Sequence, residues 1–153
     1  MIFVSIRIQP QEFDIAKEQE ALLKGRYDIG AIVSFTGFVR DFSHNQKLKM
    51  MRLEHYPGMA ENMLAQIEIE AQKRWPLQGI TLIHRYGDLA PGDMIVLVLT
   101  ASAHREAAFE AAQFIMDQLK TNIPFWKKEY SAENDSAQWV LATEKDKKHA
   151  EKW

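Results

Sequence analysis

Cysteine is absent from all 153 residues, which excludes disulfides, thiolate metal sites and any sulfur carried as a cysteine persulfide on this chain. No apolar run approaches the ~20 residues of a membrane span. The longest, Met94 to Leu99, is far short of it. The N-terminus MIFVSIRIQP lacks the basic flank and apolar core of a secretion signal, so a soluble, cytoplasmic protein with no membrane partner is expected. Neither sign of charge dominates: Lys and Arg number 19, Asp and Glu 21, with a formal net charge of -2. Without a global basic footprint, sequence-independent nucleic-acid binding is excluded as a main role, and any anion site must be local. There is no Walker loop, no GxGxxG after a strand, no HExxH and no GxSxG. The five histidines, His44, His55, His84, His104 and His149, form no pair at metal spacing, so neither a metal nor a cofactor is expected.

Nor is there an internal repeat, a low-complexity tract or a linker, and a single domain over 1–153 with a charged tail from about 144 is expected. Alternation at Ile2, Val4, Ile6 and Ile8 predicts a strand ended by Pro10. Asp14 caps a short helix to Leu23, closed by Gly25. Ala31 to Arg40 is strand-like, and Gly37 within it marks a bulge or a close backbone approach. Asp41 to Lys47 reads as a polar loop, Leu48 to His55 as a strand, and Met59 to Trp75 as a helix stopped by Pro76. Ile80 to Tyr86 and Met94 to Ala101 are joined by a turn-rich link that suits an antiparallel pair, with the second strand central. Gln138 to Thr143 is expected to be a last strand. Together these elements predict an α+β fold, a mostly antiparallel sheet with helices packed on one side.

The central helix is read from Ala108, Ala111, Ile115 and Leu119, widened by Phe109, Ala112 and Met116, with Ser102 as N-cap, Asn122 as C-cap and Pro124 beyond. Its ends are unusual. His104 and Arg105 occupy the first turn, where a helix dipole favours anions, so backbone N–H groups and cations together make a place for a phosphate. Lys120 closes the helix, and Lys127 follows the Pro124-Phe125-Trp126 bracket, where burial against rings lowers a lysine pKa toward the range useful for proton transfer. His104 and Lys120 are sixteen positions apart, about 24 Å along one helix. If both ends serve one site, two subunits must supply them. Arg40, at a strand end, completes a basic set with no matching catalytic carboxylate, which suits a phosphorylated small substrate as well as it suits scattered surface charge.

The segments FTGFVR (Phe35 to Arg40), LEHYPGM (Leu53 to Met59), RWPL (Arg74 to Leu77), IHRYG (Ile83 to Gly87), PGD (Pro91 to Asp93), SAHR (Ser102 to Arg105), FEAAQFIMDQLK (Phe109 to Lys120) and PFWKKE (Pro124 to Glu129) resemble the large, catalytic subunit of molybdopterin synthase. The resemblance implies an α/β hammerhead-like fold and a sulfurtransferase of molybdenum cofactor biosynthesis. Its substrate would be cyclic pyranopterin monophosphate, and its sulfur donor the C-terminal Gly-Gly thiocarboxylate of a small ubiquitin-like partner. It also implies a homodimer of large subunits within a heterotetramer. Residue by residue, it places the essential lysines at Lys120 and Lys127, the anion-binding groups at Arg40, His104 and Arg105, and pocket-lining positions at Phe35 and Met116. It departs around Thr143: some relatives carry an arginine a few residues beyond the Trp139-Val140 pair, and here that contact is either lost or taken over by Lys145. A dimeric anion-binding module without catalysis and an acylphosphatase-like hydrolase are the competing expectations.

Overall fold

The computed structural model describes residues 1–122, 125–134, 136–140 and 144–153. Along the chain these form β1 (Phe3–Gln9), α1 (Ile15–Leu23), β2 (Ala31–Phe38), β3 (Phe42–Ser43), β4 (Gln46–His55), α2 (Met59–Arg74), β5 (Leu77–Arg85), β6 (Gly87–Leu89), β7 (Met94–Ser102), α3 (Arg105–Thr121), β8 (Phe125–Ser131), β9 (Ala137–Val140) and α4 (Glu144–Glu151). The fold is α+β. One sheet runs β1-β5-β7-β2, with β1 parallel to β5 and the other pairs antiparallel. A second, antiparallel sheet runs β3-β4-β8-β9, with β6 joined to β4.

β7 is nearly continuous in apolar residues because both of its faces are covered. Leu97, Leu99 and Ala101 pack with Phe13 and Leu22 beneath α1. Val96 and Val98 pack with Leu64, Ile67, Phe114 and Ile115 of α2 and α3. The capping signals at α1 are met: Asp14 accepts from the Lys17 N–H at 3.2 Å, and Gly25 adopts φ +69° just beyond the helix. Arg85 is buried and donates to the Pro10 and Met94 carbonyls at 2.9 Å each, tying together the ends of β1, β5 and β7. No helix among the described residues is long and apolar enough to cross a membrane.

Several expectations change. Ser102 is not the N-cap of α3. It ends β7, is buried, and its hydroxyl donates to the Pro76 carbonyl at 2.8 Å, so His104 becomes the N-cap with extended backbone. Phe109 lies outside the buried stripe, at 61% exposure. The polar stretch 41–47 is a hairpin: β3 pairs with β4 through a turn at His44 and Asn45, whose φ values of 52° and 61° match a two-residue turn of the type hairpins favour. The last strand ends at Val140, Leu141 to Thr143 and Pro124 lie outside the described residues, and the charged tail is helical from Glu144.

Close approach fixes Gly30 and Gly37, as it does Gly79 against Leu22. Gly37 carries a register shift beside it, and a Cβ there would meet Val96 Cγ1 at 2.8 Å. At Gly30 the added Cβ would lie 2.1 Å from the Ala103 backbone oxygen, where neither side can yield. Gly30→Ala is therefore expected to cost about 3 kcal/mol and to lower Tm by roughly 10 °C. Thermal unfolding followed by circular dichroism would check it.

Candidate active site

A cavity of about 510 Å³ opens where the end of β2, the C-terminal half of α3 and one face of β8 meet the β3–β4 hairpin. Strand periodicity builds its wall. Residues two apart on β8 share a face, and Phe125, Lys127 and Glu129 all line the cavity. The intervening Lys128 instead places its Nζ 5.4 Å from the Trp139 ring centre. At the end of β2, Val39 is buried, donates its N–H to the Asp93 carbonyl at 2.9 Å and accepts from the Gly92 N–H at 2.7 Å. This pins the chain against the Pro91-Gly92-Asp93 turn and delivers the exposed Arg40 to the cavity.

From α3 come Met116, which is buried, and Lys120 one turn later. From β2 comes Phe35, 40% exposed. The cavity thus brings together Phe35, Arg40, Met116, Lys120 and Lys127. It does not gather His104 and Arg105, which are exposed at the opposite end of α3. A larger depression of about 730 Å³, between Met1–Val4 and Lys24–Asp28, is open to solvent and gathers none of the candidate residues.

Lys127 is drawn below the ordinary lysine range to about 8, first by burial and then by the charge and hydrogen-bonding contact of Lys120, against the pull of Asp146 and Glu129. A group titrating there is protonated or neutral in comparable amounts near physiological pH, as proton transfer requires. His84, on β5, is buried and lines the same cavity. Its ring stacks flat on Phe125, with centroids 3.8 Å apart. Its Nδ1 lies 2.8 Å from the Arg85 carbonyl oxygen, which can only accept, so Nδ1 holds the proton and Nε2 is left as an acceptor. Burial above all, with Lys127 and Lys120 adding to it, pushes this imidazole down to about 3. It is neutral wherever the protein works.

The cavity also contains the carboxylates that the basic set had lacked. Glu129 is buried, with His44 Nδ1 at 3.1 Å from its Oε1, and Ser43 Oγ lies 2.8 Å from the same nitrogen. Asp146, from α4, lines the cavity where Lys145 does not. Glu129 was accessible to sequence reasoning through its two-residue spacing from Lys127 on one strand. His84, His44 and Asp146 carried no comparable signal.

Residues 8–122 match the family described as MoaE protein. The molybdopterin synthase catalytic subunit of Mesorhizobium japonicum is 54% identical over 149 residues, covering 97% of this chain and 92% of that protein. The catalytic subunit of Escherichia coli K12 is 49% identical over 153 residues, all of both chains. Among solved structures, a molybdopterin biosynthesis MoaE protein from Burkholderia ambifaria superposes with a TM-score of 0.83 at 42% identity, covering 99% of this chain and 98% of that one.

Proposed function

That this chain belongs to the MoaE protein family of molybdopterin synthase catalytic subunits is the premise from which we propose its reaction: transfer of sulfur to cyclic pyranopterin monophosphate, giving the dithiolene of molybdopterin. The observation that carries this reading is the pairing of Lys127, titrating near 8, with Lys120 in a cavity that also holds Arg40. The chain contains no cysteine, so the sulfur must come from outside it. We assign the donor to the C-terminal Gly-Gly thiocarboxylate of a small ubiquitin-like partner. Both the thiocarboxylate and the substrate phosphate are anions, and cationic groups in a half-buried cavity favour them.

The resemblance suggests the residue roles, and the shared cavity supports those of Lys120, Lys127, Arg40, Phe35 and Met116. Attack of the thiocarboxylate sulfur on a pterin side-chain carbon displaces the oxygen substituent which that carbon bears and leaves an acyl–sulfur linkage. Attack of water on that acyl carbon passes through a tetrahedral oxyanion, and a second thiocarboxylate repeats the sequence at the neighbouring carbon to complete the dithiolene. Lys120 and Lys127 stabilise this oxyanion and move the protons, releasing the partner as a carboxylate and leaving sulfur on the pterin. Arg40 holds substrate anion from the rim, while Phe35 and Met116 supply apolar wall to the ring system. His104 and Arg105 bind anion in the cavity of the second subunit of a homodimer, within a heterotetramer completed by the small subunits. A cytoplasmic location accords with such a reaction.

Single-turnover incubation of the purified chain with cyclic pyranopterin monophosphate and the partner tests the reading. Dithiolene product is expected with the thiocarboxylate form of the partner and none with its carboxylate form. No product from either, with partner binding confirmed, would leave a non-catalytic anion-binding module in its place.

A further inference from the structure

The last helix reaches the cavity although its sequence would not hold it there. α4, EKDKKHAE, is polar all round, and eight such residues form no stable helix in isolation. Its docking comes from Trp153. The indole packs edge-on against Trp75 and Phe114, with centroids at 5.6 and 5.7 Å. Its Nε1–H donates to Asp117, and its main-chain oxygen accepts from Arg74 at 2.7 Å. Asp117 is buried on α3, accepts from Gln113 at 2.9 Å, and lies 3.8 Å from His149 Nδ1. A buried carboxylate is costly without partners, and two of these three come from the segment 149–153.

At the other end of α4, Asp146 lines the cavity beside Lys120 and Lys127. Two ammonium groups sharing a half-buried space repel one another, and Glu129 already faces His44. We propose that α4 is a working part of the cavity: Trp153 clamps the helix to α2 and α3 so that the Asp146 carboxylate serves as counter-ion to the Lys120–Lys127 pair. Asp146 is then a positioning residue, acting on the reaction through Lys127. The charged and titratable groups facing that amine are Lys120 from α3, His84 from β5, Glu129 from β8 and Asp146 from α4, with Arg40 and His44 also lining the cavity. The consequence for turnover rests on the sulfur-transfer reading; the electrostatic contact does not.

The test therefore titrates Lys127 directly in the full chain, by the pH dependence of its acetylation with acetic anhydride read by mass spectrometry. In Asp146→Asn the titration is expected to move to lower pH by about half a unit, roughly threefold in proton affinity. Trp153→Ala is expected to move it in the same direction, and the double variant no further than Trp153→Ala alone. Glu151→Gln makes the same charge change on α4 away from the cavity and is expected to leave it in place. The limb of the pH–rate profile near 8 should follow the acetylation data. An unmoved titration in Asp146→Asn, or an equal shift in Glu151→Gln, overturns the counter-ion. An unmoved titration in Trp153→Ala overturns the clamp. A shift in a protein that forms no dithiolene upholds the contact and sinks the synthase reading.

Discussion

Lys127→Met is expected to lower the single-turnover rate of sulfur transfer by about 10²–10⁴ while making the protein more stable at pH 7. Both effects come from one cause. Below about pH 8 the Lys127 amine is protonated in folded and unfolded chains alike, and the fold holds that charge half-buried beside Lys120. The penalty is fully present below about 8 and fades as pH rises toward 10.5, because over that interval the unfolded chain binds more protons than the folded one. Methionine keeps the apolar stem and removes the charge, so a gain of about 1–2 kcal/mol at pH 7, shrinking toward pH 10, is expected after allowance for partial solvation. Lys120→Ala should also abolish turnover with substrate binding retained, and by removing a neighbouring positive charge it should raise the Lys127 titration. Denaturant unfolding at the two pH values, set beside the kinetics, checks the pair. Loss of both rate and stability in Lys127→Met would mean that the lysine is structural.

The main strands and helices follow periodicity and punctuation, as at β7, whose two covered faces make its apolar run continuous. Ser102 carries a strong capping signal, but its backbone belongs to β7 and its hydroxyl is engaged by Pro76. Tertiary pairing outweighed the local preference. The β3–β4 hairpin escaped because its turn uses His44 and Asn45 at positive φ where glycine would have announced it. α4 escaped because its stability lies in Trp153 and the pocket between α2 and α3, not in its own octet. Among site residues, Lys120 was accessible as a helix end and Lys127 through the aromatic bracket before it, although β8, the strand that carries Lys127, was not predicted. His84 and Asp146 reach the cavity through sheet pairing and helix docking, which no local pattern encodes.

Mixing two inactive variants is expected to restore activity, because the two ends of α3 cannot meet within one chain. The helix runs Arg105–Thr121 with His104 as its N-cap, so His104 and Lys120 are separated by about 24 Å at 1.5 Å per residue. His104 and Arg105 are exposed and outside the cavity of their own chain. In a two-fold dimer each cavity would take Lys120 and Lys127 from one subunit and His104 and Arg105 from the other. A dimer of Lys120→Ala with Arg105→Ala then carries one cavity bearing both lesions and one bearing neither. After dissociation and random reassociation of equal amounts, half of the dimers are mixed, so about a quarter of the wild-type sites should return. Each variant alone should stay inactive in the same assay. Failure to recover activity, with subunit exchange verified by mass spectrometry, would place His104 and Arg105 outside the catalytic site and leave Arg40 as the substrate-phosphate ligand of a cavity complete within one chain.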